Sequence, residues 1–146
     1  MALDVDDRAT PPELFGPLDR RFGFTLDAAA ASHNAKCERF YSIDDDGLRQ
    51  SWAGEVVWCN PPYSGIRPWV EKAWLEAPTA RAIVMILPAN RTEQGWWQEL
   101  VEPFRDNGGA FTVEFLAGRQ RFIQPGRDRV GPNERPPFGV CLLIWR

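Results

Sequence analysis

Glu55-Val56-Val57-Trp58-Cys59 runs without a break into Asn60-Pro61-Pro62-Tyr63. The first five residues are β-branched and aromatic, bounded by Gly54 and a proline pair, and read as a short buried strand. Proline fixes its own φ and cannot donate to a sheet ladder, so the chain must leave the sheet at Asn60 and turn stiffly. An amide side chain, a carbonyl on a residue with no N–H, and an aromatic ring are therefore expected at the carboxyl end of a central strand. In open α/β sheets that edge is where ligands bind.

Other segments place themselves around this strand. Arg81-Ala82-Ile83-Val84-Met85-Ile86-Leu87 is the clearest buried strand in the chain. Thr112–Leu116 and Phe138–Trp145 supply two more, and Phe24-Thr25-Leu26-Asp27 is a short strand running into an acidic residue. Arg39-Phe40-Tyr41 is a further candidate strand, and Asp44-Asp45-Asp46-Gly47-Leu48 reads as a turn. A first helix is expected with Thr10 as N-cap, Pro11 in the first turn and Glu13 completing a capping box. Leu14, Phe15, Leu18 and Phe22 then recur at helical spacing until Gly23. Pro68–Glu76 reads as a second helix with Val70, Ala73, Trp74 and Ala77 on its apolar face, and Gln94–Phe104 as a third until Pro103 disturbs it. Strands alternating with helices give an α/β fold with a mostly parallel sheet covered on both faces. Residues 1–9 are polar and expected to fray. Residues 10–146 are expected to form one domain, with no repeat, linker or separate recognition domain.

With 146 residues there is material for one real core. Hydrophobic content of 44% and charged content of 25% are ordinary for a soluble globular chain. No apolar run approaches the roughly 20 residues of a membrane helix. The acidic start, Met1 to Asp7, lacks the regions of a signal peptide. Cys37, Cys59 and Cys141 lie far apart without CxxC spacing, which suits reduced thiols in a cytoplasmic protein. His33 is the only histidine, which argues against a Ser-His-Asp relay and against a zinc site, so no metal is expected. No GxxxxGK[ST] loop offers machinery for nucleotide hydrolysis. The net charge of −3 advertises no nucleic-acid partner, so any basic surface must be local.

Several motifs in order give this chain a family likeness: Thr10-Pro11, Phe24-Thr25-Leu26-Asp27-Ala28-Ala29-Ala30, Asn34-Ala35-Lys36-Cys37, Asp45-Asp46-Gly47-Leu48, Trp58-Cys59-Asn60-Pro61-Pro62-Tyr63-Ser64, Leu87-Pro88-Ala89 with Trp96-Trp97, and Gly118-Arg119-Gln120-Arg121-Phe122. The set resembles the phage-type, or Dam-type, DNA N6-adenine methyltransferases from residue 10 onward. NPPY alone is less specific, because protein-glutamine and RNA amine methyltransferases also carry it. The resemblance implies a Rossmann-like class I methyltransferase fold with an antiparallel strand near the C-terminus. It also implies S-adenosylmethionine as methyl donor, adenine in DNA as target, and a phage- or prophage-encoded protein acting in a bacterial cytoplasm as monomer or homodimer. The sequence departs from the broader methyltransferase pattern in two places. The first cofactor loop, Asp27 to Ala31, is alanine-rich instead of glycine-rich, and no acidic residue closes a strand near Phe40-Tyr41.

Adenine N6 is a poor nucleophile because its lone pair is delocalised into the ring. Two acceptors aimed at its hydrogens would favour a more tetrahedral nitrogen. Asn60 can offer a side-chain oxygen and Pro61 its carbonyl, while Pro62 stiffens the turn and Tyr63 can stack on a flipped base. By resemblance, Thr10 and Pro11 lie near the methionine moiety of the cofactor, and Asp27, Ala28 and Ala29 in the first cofactor loop. Asp46 would accept from the cofactor's adenine amine, Leu48 would pack on that ring, and Asn60 would border both ligands. Arg91, Thr92 and Gln94 follow a strand at the active edge and could reach DNA. Arg119, Arg121, Arg127, Arg129 and Arg135 crowd a Gly/Pro-rich loop able to approach phosphates. Plainer readings stand beside these: a rigid turn for NPPY, a helix cap for Thr10-Pro11, a solvated turn for Asp44–Asp46, and a solvated arginine loop. Trp96 and Trp97 read as core rather than stacking platforms. Few residues remain for target recognition, so sequence preference should be short or loose unless a second copy or a partner supplies the rest. RNA or protein-glutamine methylation, and a non-catalytic nucleic-acid-binding relic of the fold, are the competing functions.

Overall fold

The computed structural model describes residues 9–31, 33–105, 107–119 and 138–146. The expected fraying of residues 1–8, and the expected DNA contacts of Arg121, Arg127, Arg129 and Arg135, lie outside the described residues. Five strands form one sheet: β1 (Leu26–Asp27), β2 (Val56–Cys59), β3 (Ala82–Pro88), β4 (Phe111–Phe115) and β5 (Val140–Trp145), in the order β1-β2-β3-β5-β4. β1 pairs parallel with β2, and β2 with β3. β5 runs antiparallel between β3 and β4. The sheet is therefore mixed, with β5 alone reversed among its five strands. The middle of the sheet is β3, not β2, because β5 inserts beyond β3 and shifts the centre by one strand.

The two faces of the sheet explain the strand sequences. Val57, Cys59, Ile83, Met85, Leu87, Cys141, Leu143 and Trp145 bury on one face; Trp58, Val84, Ile86, Val140, Leu142 and Ile144 bury on the other. Both faces of β2, β3 and β5 are covered, so these strands are continuous apolar runs without alternation. Helix α1 (Pro12–Phe22) covers the second face through Leu14, Phe15, Leu18 and Phe22. Helices α2 (Arg67–Glu76) and α3 (Gly95–Leu100) cover the first through Trp69, Val70, Ala73, Trp96 and Trp97. Trp96 and Trp97 are thus core residues, as the sequence reading expected.

The helix boundaries correct one detail of the sequence reading. Pro11, not Thr10, is the N-cap of α1, and no side chain caps that end. The reason is a competing partner: the Thr10 hydroxyl accepts a hydrogen bond from the side chain of Asn60. Gly23 ends α1 in the left-handed region (φ 69°), where its N–H reaches the carbonyl of Asp19. Arg21 then clamps that end to β4 through paired bonds to Glu114 of 2.9 and 2.5 Å. The expected strand at Arg39-Phe40-Tyr41 contracts to a single parallel bridge between Phe40 and Asp27, because β1 offers only two residues to pair with. The third helix stops at Leu100, and a short 3-10 turn over Glu102–Phe104 absorbs Pro103.

Candidate active site

Strand direction decides which residues meet. β1 and β2 run parallel, with Asp27 in register with Trp58, so Asp27-Ala28 and Cys59-Asn60 leave the sheet at one edge. β3 delivers Pro88-Ala89 to the same edge. β5 is reversed, so its first residue, Val140, lies opposite Pro88, and Gly139 accepts from the N–H of Ala89 at 2.9 Å.

Asn60 turns its side-chain nitrogen toward Thr10, donating to Thr10 Oγ1 at 3.1 Å. Thr10 is 1% exposed, so this contact is shielded from water. Pro61 is buried, and among the described residues its carbonyl takes no hydrogen bond. The carbonyl of Pro62 closes the turn by accepting from Gly65 N–H at 3.1 Å. Tyr63 is held on several sides. Its hydroxyl donates to the carbonyl of Ile86 on β3 at 3.3 Å, its own carbonyl accepts from the Arg91 guanidinium, and its ring meets Phe138 edge-on at 6.1 Å. Burial pushes the Tyr63 phenol well above its ordinary range, so it stays protonated.

A second group of segments borders this turn. Asp27 is 3% exposed and receives backbone N–H bonds from Ala29 (3.3 Å) and Lys36 (2.9 Å). These bonds bend the alanine-rich loop around its carboxylate, the organising role that glycines would otherwise allow. Ala28 returns to β2 by donating to the carbonyl of Trp58 at 3.0 Å. Asp46 adopts φ 59°, unusual for a non-glycine residue, and caps the 3-10 turn Gly47–Arg49 by accepting from Leu48 N–H. Leu48 packs against the first-face core. Of the three neighbouring aspartates, Asp45 is occupied within the loop by the backbone and hydroxyl of Ser42, and Asp44 is exposed.

Gly47 joins the two segments, a role the sequence reading missed. A Cβ built on it would lie 2.0 Å from the carbonyl oxygen of Ala28, so only glycine allows the Asp46 turn to touch the first loop. The fully buried Trp52 also donates its indole N–H to the Gly47 carbonyl at 3.0 Å. A glycine after an aspartate reads simply as a turn, and nothing in the sequence signals this contact. Phe138 was likewise read only as the start of a strand.

Asp27 links pH to stability. Burial pushes its carboxyl from 3.8 up to about 6, against the opposing pull of the Lys36 and Ala29 amides and the Lys36 ammonium. Between those two values the folded protein keeps a proton that the unfolded chain has lost, so stability falls as pH rises through the window. A rise of that size is worth about 3 kcal/mol. Urea titrations of wild type and Asp27→Asn should therefore diverge in the variant's favour by about that amount between about pH 4 and about pH 7. A constant difference between the two proteins across that range would refute the assignment.

A sequence profile described as DNA N-6-adenine-methyltransferase (Dam) matches residues 2–146. The chain belongs to the Dam family. It is 39% identical over 93 residues to the DNA N-6-adenine-methyltransferase of Escherichia phage T1, an alignment covering 62% of this chain and 39% of that protein. It is 34% identical over 86 residues to the DNA N-6-adenine-methyltransferase of Haemophilus phage HP1, covering 58% of this chain and 50% of that protein. The chain spans half or less of the length of these Dam-family relatives.

The DNA-contact candidates of this Dam-family chain divide in two. Arg91 folds back onto Tyr63, with its guanidinium 5.9 Å from the ring centre. Gln94 accepts from the Trp96 indole at 2.7 Å, and the Thr92 carbonyl accepts from Gln98. These three are engaged within the protein. Arg119 is exposed, just beyond the carboxyl end of β4. No helix among the described residues is long and apolar enough to cross a membrane, and no three His, Cys, Asp or Glu side chains there could share a metal ion. All three cysteines are free thiols.

Proposed function

We propose that this chain transfers a methyl group from S-adenosylmethionine to N6 of adenine in DNA, by direct in-line attack of a flipped base, on a Rossmann-like class I methyltransferase fold. The observation that carries this reading is the Asn60 amide beside the Pro61 carbonyl, which takes no hydrogen bond among the described residues, both at the sheet edge where the Asp27–Ala29 loop also emerges. The donor set fits the cofactor. The Asp46 carboxylate, with one oxygen on Leu48 N–H, suits an adenine amine; Leu48 offers an apolar surface; and Pro11, Asp27, Ala28 and Ala29 would border the rest of the cofactor. S-adenosylmethionine supplies an electrophilic sulfonium methyl when bound.

The protein's part is to hold and polarise the acceptor. Asn60 Oδ1 and the Pro61 carbonyl accept the two N6 hydrogens and localise the nitrogen lone pair. As the nitrogen becomes positive, these fixed dipoles stabilise it at roughly 3 kcal/mol per well-placed group. Tyr63 offers a fixed ring for the flipped base, worth about 1–3 kcal/mol. Phosphate contacts fall to Arg119, Arg121, Arg127 and Arg129. Arg91, Thr92 and Gln94 remain candidates if DNA draws them from their present partners.

Incubation with methyl-labelled S-adenosylmethionine and unmethylated DNA tests the reading. Label should enter the DNA, be released by nuclease and survive protease. Label in RNA or protein would reassign the acceptor. Calorimetric binding of neither S-adenosylmethionine nor S-adenosylhomocysteine would favour a non-catalytic relic.

A further inference from the structure

We infer that Thr10 is a positioning residue that anchors the Asn60 amide at the end of β2. The inference rests on the methyl-transfer reading above and adds a residue whose part in it is indirect. An asparagine amide has an accepting and a donating end, and only the accepting end can receive a hydrogen from a primary amine. Rotation of the amide by half a turn would present N–H groups to the acceptor nitrogen and repel it. Within the protein Asn60 Nδ2 donates to Thr10 Oγ1 at 3.1 Å with Oδ1 at the opposite end of the group, and the contact anchors the amide at the strand end. Thr10 is 1% exposed, so water cannot easily replace its hydroxyl. It is also held by backbone on its C-terminal side: Pro11 caps α1, and its carbonyl accepts from the N–H groups of Leu14 and Phe15 at 3.0 Å each. The helix that covers one sheet face thereby carries the hydroxyl to the strand end on which the amide stands. The same contact explains why Thr10 does not cap its own helix.

Thr10→Val keeps the shape and removes the hydroxyl; Thr10→Ser keeps the hydroxyl. Thr10→Val should lower kcat by about 10–100-fold, with S-adenosylhomocysteine affinity by calorimetry within about threefold of wild type, since misorientation acts on the reacting nitrogen. Thr10→Ser should restore kcat to within about threefold. In an Asn60→Ala background, Thr10→Val should cost nothing more, because the group it orients is gone. Loss of cofactor affinity in Thr10→Val that persists beside Asn60→Ala would overturn the inference and make Thr10 a cofactor contact. Equal kcat in Thr10→Val and wild type would overturn it as well. A wild-type protein that binds S-adenosylhomocysteine but methylates no amine would remove the underlying reading, an outcome distinct from both.

Discussion

Asn60→Ala is expected to lower kcat by about 10²–10³-fold while S-adenosylhomocysteine affinity changes by less than about threefold. The amide stands at the strand end beside the Pro61 carbonyl, and its oxygen acts on the nitrogen that changes charge during transfer. Removing it withdraws an interaction that grows toward the transition state, so the loss falls on turnover. The variant should fold, because Asn60 is only partly buried and its backbone leaves the sheet at a turn held by Pro61, Pro62 and Gly65. Steady-state kinetics on DNA, paired with calorimetry, separate the two effects. A variant with wild-type turnover would remove Asn60 from the mechanism, and one that loses cofactor binding in step with turnover would make it a binding residue.

Gly47→Ala should destabilise the fold by about 3 kcal/mol and weaken cofactor affinity by roughly tenfold or more. The added methyl would lie 2.0 Å from the Ala28 carbonyl oxygen and 3.2 Å from the Trp69 ring. Neither obstacle is a flexible side-chain tip: one is backbone leaving β1, the other a tryptophan 9% exposed in the core. Gly47 cannot retreat far, because the buried Trp52 indole holds its carbonyl at 3.0 Å. Relief therefore requires the Asp46–Leu48 turn to part from the Ala28 loop, widening the space the two segments border. Urea unfolding gives the stability and calorimetry with S-adenosylhomocysteine the affinity. Wild-type values for both would mean that the two segments move independently and that their contact does not shape the site. Trp52→Phe offers a gentler version: it keeps an aromatic ring and removes the indole bond, at about 1–2 kcal/mol.

Ile83–Leu87 and Val140–Trp145 were legible as strands because both of their faces are buried, and such strands carry unbroken apolar runs. The NPPY turn was legible because proline forbids continuation of the ladder. Asp46 stood out from its two neighbours through the glycine and leucine that follow it, and it is the one that caps the Gly47–Arg49 turn. Thr10 was misread as a helix cap because a threonine before a proline-led helix satisfies every local rule. The partner that takes its hydroxyl lies 50 residues away. The strand at Arg39–Tyr41 was overextended for a related reason: its composition fits a strand, but the neighbour it needs is only two residues long.

Local chemistry thus sufficed for the strands, the stiff corner after β2 and the order of motifs that marks the family, since each depends on residues close in the chain. The meeting of Thr10 with Asn60, of Gly47 with Ala28 and of Phe138 with Tyr63 was settled only by folding. Those contacts follow from strand order, from the reversal of β5 and from backbone approaching within a methyl's width, and none of these is encoded in the spacing of neighbouring residues.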